Sequence, residues 1–406
     1  TGLLKYKTEL DEMDVQVGEY QGVKVYLGLK TAGRFQALEQ SDVLATPAPT
    51  DENPKPEPAK VPDIDPGFQT AWGSMDFLAN FEDVIKVYWE FYISSRPHPD
   101  SMQGHQGYLL IEELPGDQLK FLFDYVDIKA GEFEVNFGDA LHRRSDNARV
   151  QRNPLIGNYV MDPNVTEIGL ELIGEPARVN WLVGVTSGSA TGDNKNETGV
   201  GGHAKVWCNP LDNLRVALSG YNVDHSDTLP GSEGSRTILF SSSRSGGPYG
   251  AIFNGGNNPG GVNPPAGKKI TAGQTDVTLA LGDLELYGNF GYVEDADTNA
   301  NTDGEPEEAW YYYAAEGVYR FTEKFYGALR YSAAQADTAK DQASDGIVSR
   351  YQAGIGYWFS ANLLAKAEYV YEEMKDFDDA DGNVSGVKAS EDPSFDGIIG
   401  EVSFAF

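Results

Sequence analysis

From Val23 onward the chain alternates between apolar and polar positions. Val23, Val25, Leu27 and Leu29 fall on one face, and Lys24, Tyr26, Gly28 and Lys30 on the other. Ile85, Val87, Trp89, Phe91 and Ile93 likewise oppose Lys86, Tyr88, Glu90, Tyr92 and Ser94. Leu284, Leu286, Phe290 and Tyr292 oppose Glu285, Tyr287 and Asn289, and Ile347, Tyr351, Ile355, Tyr357 and Phe359 oppose Arg350, Gln352 and Gly354. A period of two is the signature of a strand with one apolar face. Segments of this kind recur to the C-terminus and predict about sixteen strands. Residues 114–123 read as a small helix between two of them.

The connections between these segments also alternate. Short turns at Gly174-Glu175-Pro176, Asn209 to Asp212, Gly282-Asp283 and Phe321-Thr322-Glu323 are interleaved with long polar stretches at 39–67, 139–164, 188–199, 224–272, 294–308 and 374–392. Both ends of the chain then lie on the short-turn side. Short turns on one side and long loops on the other belong to a transmembrane β-barrel of the outer-membrane type. In hydrocarbon no backbone amide can stay unpaired, so such a sheet must close on itself. Residues 23–406 are assigned to the barrel, and the polar, irregular residues 1–22 to a periplasmic lead-in.

Composition agrees. Mean hydropathy is -0.42, and no run approaches the roughly 18 apolar residues of a membrane-crossing helix. Barrel strands show lipid only every second residue and average out as polar. The single cysteine, Cys208, excludes an intrachain disulfide. A formal net charge of -31 argues against nucleic acid as a partner. No leader stretch is visible at Thr1, as expected of an exported mature chain. Trp72, Trp89, Trp310 with Tyr311 to Tyr313, and Trp358 with Phe359 sit near strand ends, where interfacial girdles or ordinary packing would both place them.

Against this acidic background, Arg143, Arg144, Arg149 and Arg152 crowd into ten residues holding one acid, Asp146. The segment 139–164 is too long for a hairpin turn and is read as a loop folded into the barrel mouth. Inward-facing wall candidates are Lys24, Lys30, Arg34, Lys86, Arg215, Arg330, Arg350 and Lys366, against Glu90, Glu285 and Glu368. Two roles stay open for the arginines. They form a basic band that filters charge across the constriction, or they pair with Asp139, Asp146 and Asp162 to hold the loop down.

Phe123-Asp-Tyr-Val-Asp-Ile-Lys-Ala-Gly-Glu-Phe-Glu-Val-Asn-Phe-Gly138, Arg144-Ser-Asp-Asn147 and Asn153-Pro-Leu-Ile-Gly-Asn-Tyr159 resemble a segment of outer-membrane porins related to the phosphate-selective group. The terminal Val402-Ser-Phe-Ala-Phe406 resembles the C-terminal signal of outer-membrane barrels. The resemblance implies a sixteen-stranded homotrimer in the outer membrane of a Gram-negative-type bacterium, with its third outer loop folded inward. It also implies passive diffusion of small hydrophilic solutes and ions, or an anion- or phosphate-selective channel as the alternative. No phosphate-binding residue can be matched one by one, and a substrate-specific channel or receptor built on loops 39–67 and 224–272 is a third possibility.

The acidic stretches and the histidines bear on two further chemistries. Asp295, Asp297, Asn299, Asn301 and Asp303 alternate oxygen ligands as calcium loops do, and Asp376, Asp378, Asp379, Asp381 and Asn383 form a second cluster. Neither has EF-hand spacing; solvated loops or divalent bridging to lipid headgroups explain them as well. None of His98, His105, His142, His203 and His225 sits in a nucleophile motif, so the expectation is no catalytic residue and no resident cofactor beyond calcium on the outer loops.

Overall fold

The computed structural model describes residues 9–45, 59–60, 63–69, 71–93, 103–114, 120–174, 179–188, 200–224, 239–240, 249–250, 252–253, 260–262, 269–296, 308–339, 346–376 and 388–406. Sixteen antiparallel strands close into one barrel. They are β1 (Val23–Ala45), β2 (Trp72–Phe81), β3 (Ile85–Tyr92), β4 (Gln103–Ile111), β5 (Asp127–Glu134), β6 (Thr166–Gly174), β7 (Val179–Thr186) and β8 (Val200–Leu211). The second half comprises β9 (Leu214–Asp224), β10 (Lys269–Leu281), β11 (Leu284–Ala296), β12 (Glu308–Arg320), β13 (Phe325–Ala339), β14 (Ile347–Trp358), β15 (Leu363–Lys375) and β16 (Lys388–Ala405). Each strand pairs with the next, and β16 pairs back to β1 from Ala405↔Lys30 to Lys388↔Leu44, which removes every free edge. At that seam the Cβ of any other residue at Gly397 (φ +147°) would stand 2.2 Å from the carbonyl oxygen of Ala37.

The alternation sorts side chains as the sequence indicated. Leu286, Phe290, Tyr351 and Ile355 face outward, and Glu285, Tyr287, Arg350 and Gln352 are buried inside. Outward aromatics gather at two heights. Tyr319, Phe321, Phe325, Tyr357 and Phe359 ring the short-turn end, while Tyr292, Tyr311, Tyr313, Tyr331, Tyr351 and Tyr371 run in contact across neighbouring strands higher up. Along β12 the rings at 319 and 311 are eight residues apart, about 26 Å at roughly 3.3 Å per residue. That is the height of an apolar belt once strand tilt is allowed for.

Several details differ from the sequence expectation. Trp72 and Trp310 are fully buried inside the barrel, and Trp358 packs on an inner cluster, so of the tryptophans named above only Trp89 looks outward. Several strands run past their expected ends. β1 reaches 45 and β13 reaches 339, because a tilted strand continues above the belt where alternation no longer has to be apolar. The helix narrows to one turn, Lys120–Phe123. Residues 1–22 are not wholly irregular: Gln16–Tyr20 pairs with β1. Just before it, Met13 is buried against Leu78, Tyr88, Tyr108, Leu110 and Phe133, inward residues of β2 to β5. The lead-in therefore enters the lumen.

Candidate pore and lumenal loop

Residues 135–165 leave the wall after β5, cross the lumen and return to β6, and nearly all are buried. Short 3-10 turns at Ala140–Arg143 and Val150–Arg152 aim the arginines at opposite walls. Arg143 pairs with Glu285 at 2.5 Å and with Glu316, on β11 and β12. Arg149 lies 3.0 Å from Glu90 on β3 and also reaches Asp76 and Tyr88. Arg144 folds onto Asp162 within the loop at 2.7 Å, and Arg152 meets Glu12 of the lead-in at 2.6 Å.

The wall answers with its own charges. Lys366 donates to the carbonyls of Val150, Asn153 and Leu155, Arg330 to Gly157, and Arg350 to Asn158. Glu368 accepts from the amides of Ile156 and Gly157. Many wall pairs sit directly opposite in the sheet register: Arg34 with Glu401, Lys366 with Glu401, Arg330 with Glu316, Arg350 with Glu372. Arg215 holds Asp139 at 2.8 Å, and Lys30 pairs with Asp76. Lys24 and Lys86 stand instead at the short-turn rim, on Asp83 and Glu112.

Every predicted constriction arginine thus has an acidic partner, but mostly not the loop acids named for holding it down: Asp162 takes Arg144, Asp146 lies 3.8 Å from Arg144, and Asp139 is held by Arg215 and Lys205 of the wall. Alternation could also have picked out Asp76, Glu316, Glu372 and Glu401, inward acids that the sequence reading passed over. Of the oxygen-rich stretches, residues 297–303 and 377–387 lie outside the described residues, as do His98 and His225.

The outer half of the lumen holds an unexpected apolar cluster. Ile156, Val160 and Val165 of the loop pack with Phe240, Tyr249, Ile252, Phe253 and Val262 from the long connection between β9 and β10. The amide of Val262 donates to the carbonyl of Val160, that of Asn164 to Leu239, and Tyr249 gives its hydroxyl to Glu368. Part of the stretch read as an outer insertion therefore folds inward. Polarity alone could not show this, because Gly, Ser and Asn dominate between its few anchoring aromatics. On the short-turn side of the loop lies a cavity of about 490 Å³, whose lining includes Lys30, Arg143, Arg149, Arg152 and Arg320 among acids from the lead-in.

Loop and lead-in titrations follow from this packing. Burial alone would raise the carboxyl of Glu12, but Arg152, Lys30 and Arg149 outweigh it and hold it at about 2. Burial pushes the imidazole of His142 down to about 3, with Lys205 adding to the effect, so it is neutral beside the charged arginines. A carboxyl depressed in the folded state stabilises it above the unfolded value and loses that contribution as pH falls through the folded value. Unfolding in urea should therefore show a stability component of wild type that disappears between about pH 4.5 and pH 2. The Glu12→Gln variant should lack that component.

No protein-family profile and no curated protein matches the sequence. Among solved structures, the outer membrane channel DcaP of Acinetobacter baumannii superposes with a TM-score of 0.58 at 13% identity, over 97% of this chain and 100% of that one. OmpT, an outer membrane protein of Vibrio cholerae, gives 0.55 at 11% identity over 96% and 99%. Salmonella typhi OmpF in complex with daunomycin gives 0.51 at 12% over 95% and 98%. At these identities the likeness is one of fold: a closed sixteen-strand barrel of the outer-membrane porin type. Nothing in it points to the phosphate-selective group.

Proposed function

We propose that this chain is an outer-membrane channel through which small hydrophilic solutes and ions diffuse passively. The observation that carries the reading is the closed barrel with an apolar, aromatic-bounded outside and an inside of charged pairs crossed by a lumenal loop. Such a tube is stable only with lipid around it, and its wet interior is the one route across. Assembly as a homotrimer belongs to the same proposal, and no bond-making chemistry is assigned to the chain.

A second reading, anion preference, has its own support. In a chain of net charge -31, the cavity on the short-turn side gathers five cations against Asp11, Glu12, Asp14 and Glu285. Clefts that collect one sign of charge concentrate ions of the other.

Reconstitution in planar bilayers and in vesicles tests both. Discrete conductance steps and swelling rates that fall with sugar size are expected. A folded, inserted protein that passes neither salt nor sugar would overturn the channel reading. Reversal potentials in a salt gradient, before and after Arg143→Ala with Arg144→Ala, decide the second: an unchanged potential leaves those arginines a structural role only.

A further inference from the structure

Beneath the lumenal loop, one patch of wall is built differently from the rest. Asp76 on β2 lies opposite Glu90 on β3 in the register, and Glu90 lies opposite Gln106 on β4. Like charges placed opposite each other in a sheet repel. Between Glu90 and Phe91 the register slips, so that Phe91 pairs with Gly104 and His105 is the extra residue. Alternation would send either His105 or Gln106 outward; with the bulge both are buried inside, at 7% and 1% exposure. Bulges re-aim side chains in this way and are frequent beside functional sites.

The loop brings Asp146 to the same point. One ligand atom from each of Glu90, His105 and Asp146 lies within 4.8 Å of the others, and Nε2 of His105 is 3.6 Å from Oδ2 of Asp146. Outer contacts orient all three groups. Tyr92 donates its hydroxyl to Oδ1 of Asp146 at 2.6 Å, which turns Oδ2 toward the imidazole. The Tyr92 ring packs on that imidazole with centroids 4.2 Å apart. Gln106 donates to Oε2 of Glu90 at 3.1 Å, leaving Oε1 buried without an aligned hydrogen bond. Carboxylates and imidazoles held from behind in this manner are typical of metal ligands.

The charge balance favours a cation. Asp76, Glu90, Glu134, Asp146 and Asp162 share the contacts of Arg144 and Arg149, with Lys30 at the edge on Asp76. Arg149, 3.0 Å from Oε1 of Glu90, already touches Asp76 and Tyr88 and has those to turn to.

We infer that Glu90, His105 and Asp146 bind one divalent transition-metal ion of the zinc class, fastening the lumenal loop to β3 and β4. One nitrogen and two carboxylate oxygens suit zinc, cobalt or nickel over magnesium.

Calorimetric titration of the purified full chain in detergent with zinc, and visible spectroscopy with cobalt(II), test this. One zinc per chain is expected, with cobalt bands distinct from those of the aqua ion, a tenfold or greater loss of affinity in His105→Gln, and no displacement by excess magnesium. Gel mobility before and after heating shows whether the variant is folded. If it is not, the wild-type cobalt spectrum decides alone: bands of the aqua ion only would overturn the site. Equal zinc binding by folded His105→Gln would also overturn it, assigning the ion to other carboxylates of this acidic chain.

Discussion

Replacing Glu401 by Gln should lower barrel stability by about 3 kcal/mol or more, the usual consequence of stranding a buried charge. Glu401 sits on the closing strand opposite both Arg34 and Lys366, and contacts them at 2.6 and 2.8 Å. All three side chains are essentially inaccessible. Glutamine keeps the shape and leaves two cations facing each other across the seam. The effect should be non-additive: Arg34→Met with Glu401→Gln should cost less than Glu401→Gln alone, because one of the two stranded cations is then gone while Lys366 keeps its three loop carbonyls. Urea unfolding in lipid vesicles, followed by tryptophan fluorescence, measures both. A single-variant loss below about 1 kcal/mol, the range of exposed ion pairs, would show that water reaches the seam and screens it.

What could be read from the chain follows from what each feature depends on. Strand number, closure and the inward set from Lys30 to Glu368 depend on a period of two and on the lengths of connections, both of which are local. Arg143, Arg144, Arg149 and Arg152 were recognisable as a group because they are the basic exception in an acidic chain. Their partners were harder. Glu316 and Glu12 meet the loop only through closure and through the entry of the lead-in, contacts between residues more than a hundred positions apart. His105 was out of reach, since the bulge that turns it inward breaks the rule by which its direction would have been inferred. The inward fold of part of the β9–β10 connection rests on Phe240, Tyr249 and Phe253 finding an apolar loop surface. That surface exists only once residues 139–164 have themselves been placed inside.

Val277→Arg should cost the barrel about 2–4 kcal/mol, as expected for a cation at mid-belt on the lipid face of such a barrel. Val277 faces outward and pairs in register with Gly288 of β11, which in turn pairs with Ala315 of β12. That row lies midway between the lower pairing Leu284↔Tyr319 and the upper pairing Tyr292↔Tyr311. The same substitution at Asn289, next to Gly288 on β11, half-buried on the lumenal face and directly opposite Asp276 in the register, should be far milder, because it sets a cation beside a carboxylate in the pore interior. The contrast between these two positions separates a lipid-facing wall from a soluble β-protein, in which an outward Val277→Arg would meet water and cost almost nothing. Folding titrations in vesicles measure the pair. Equal effects at 277 and 289 would remove the lipid face, and the channel reading built on it.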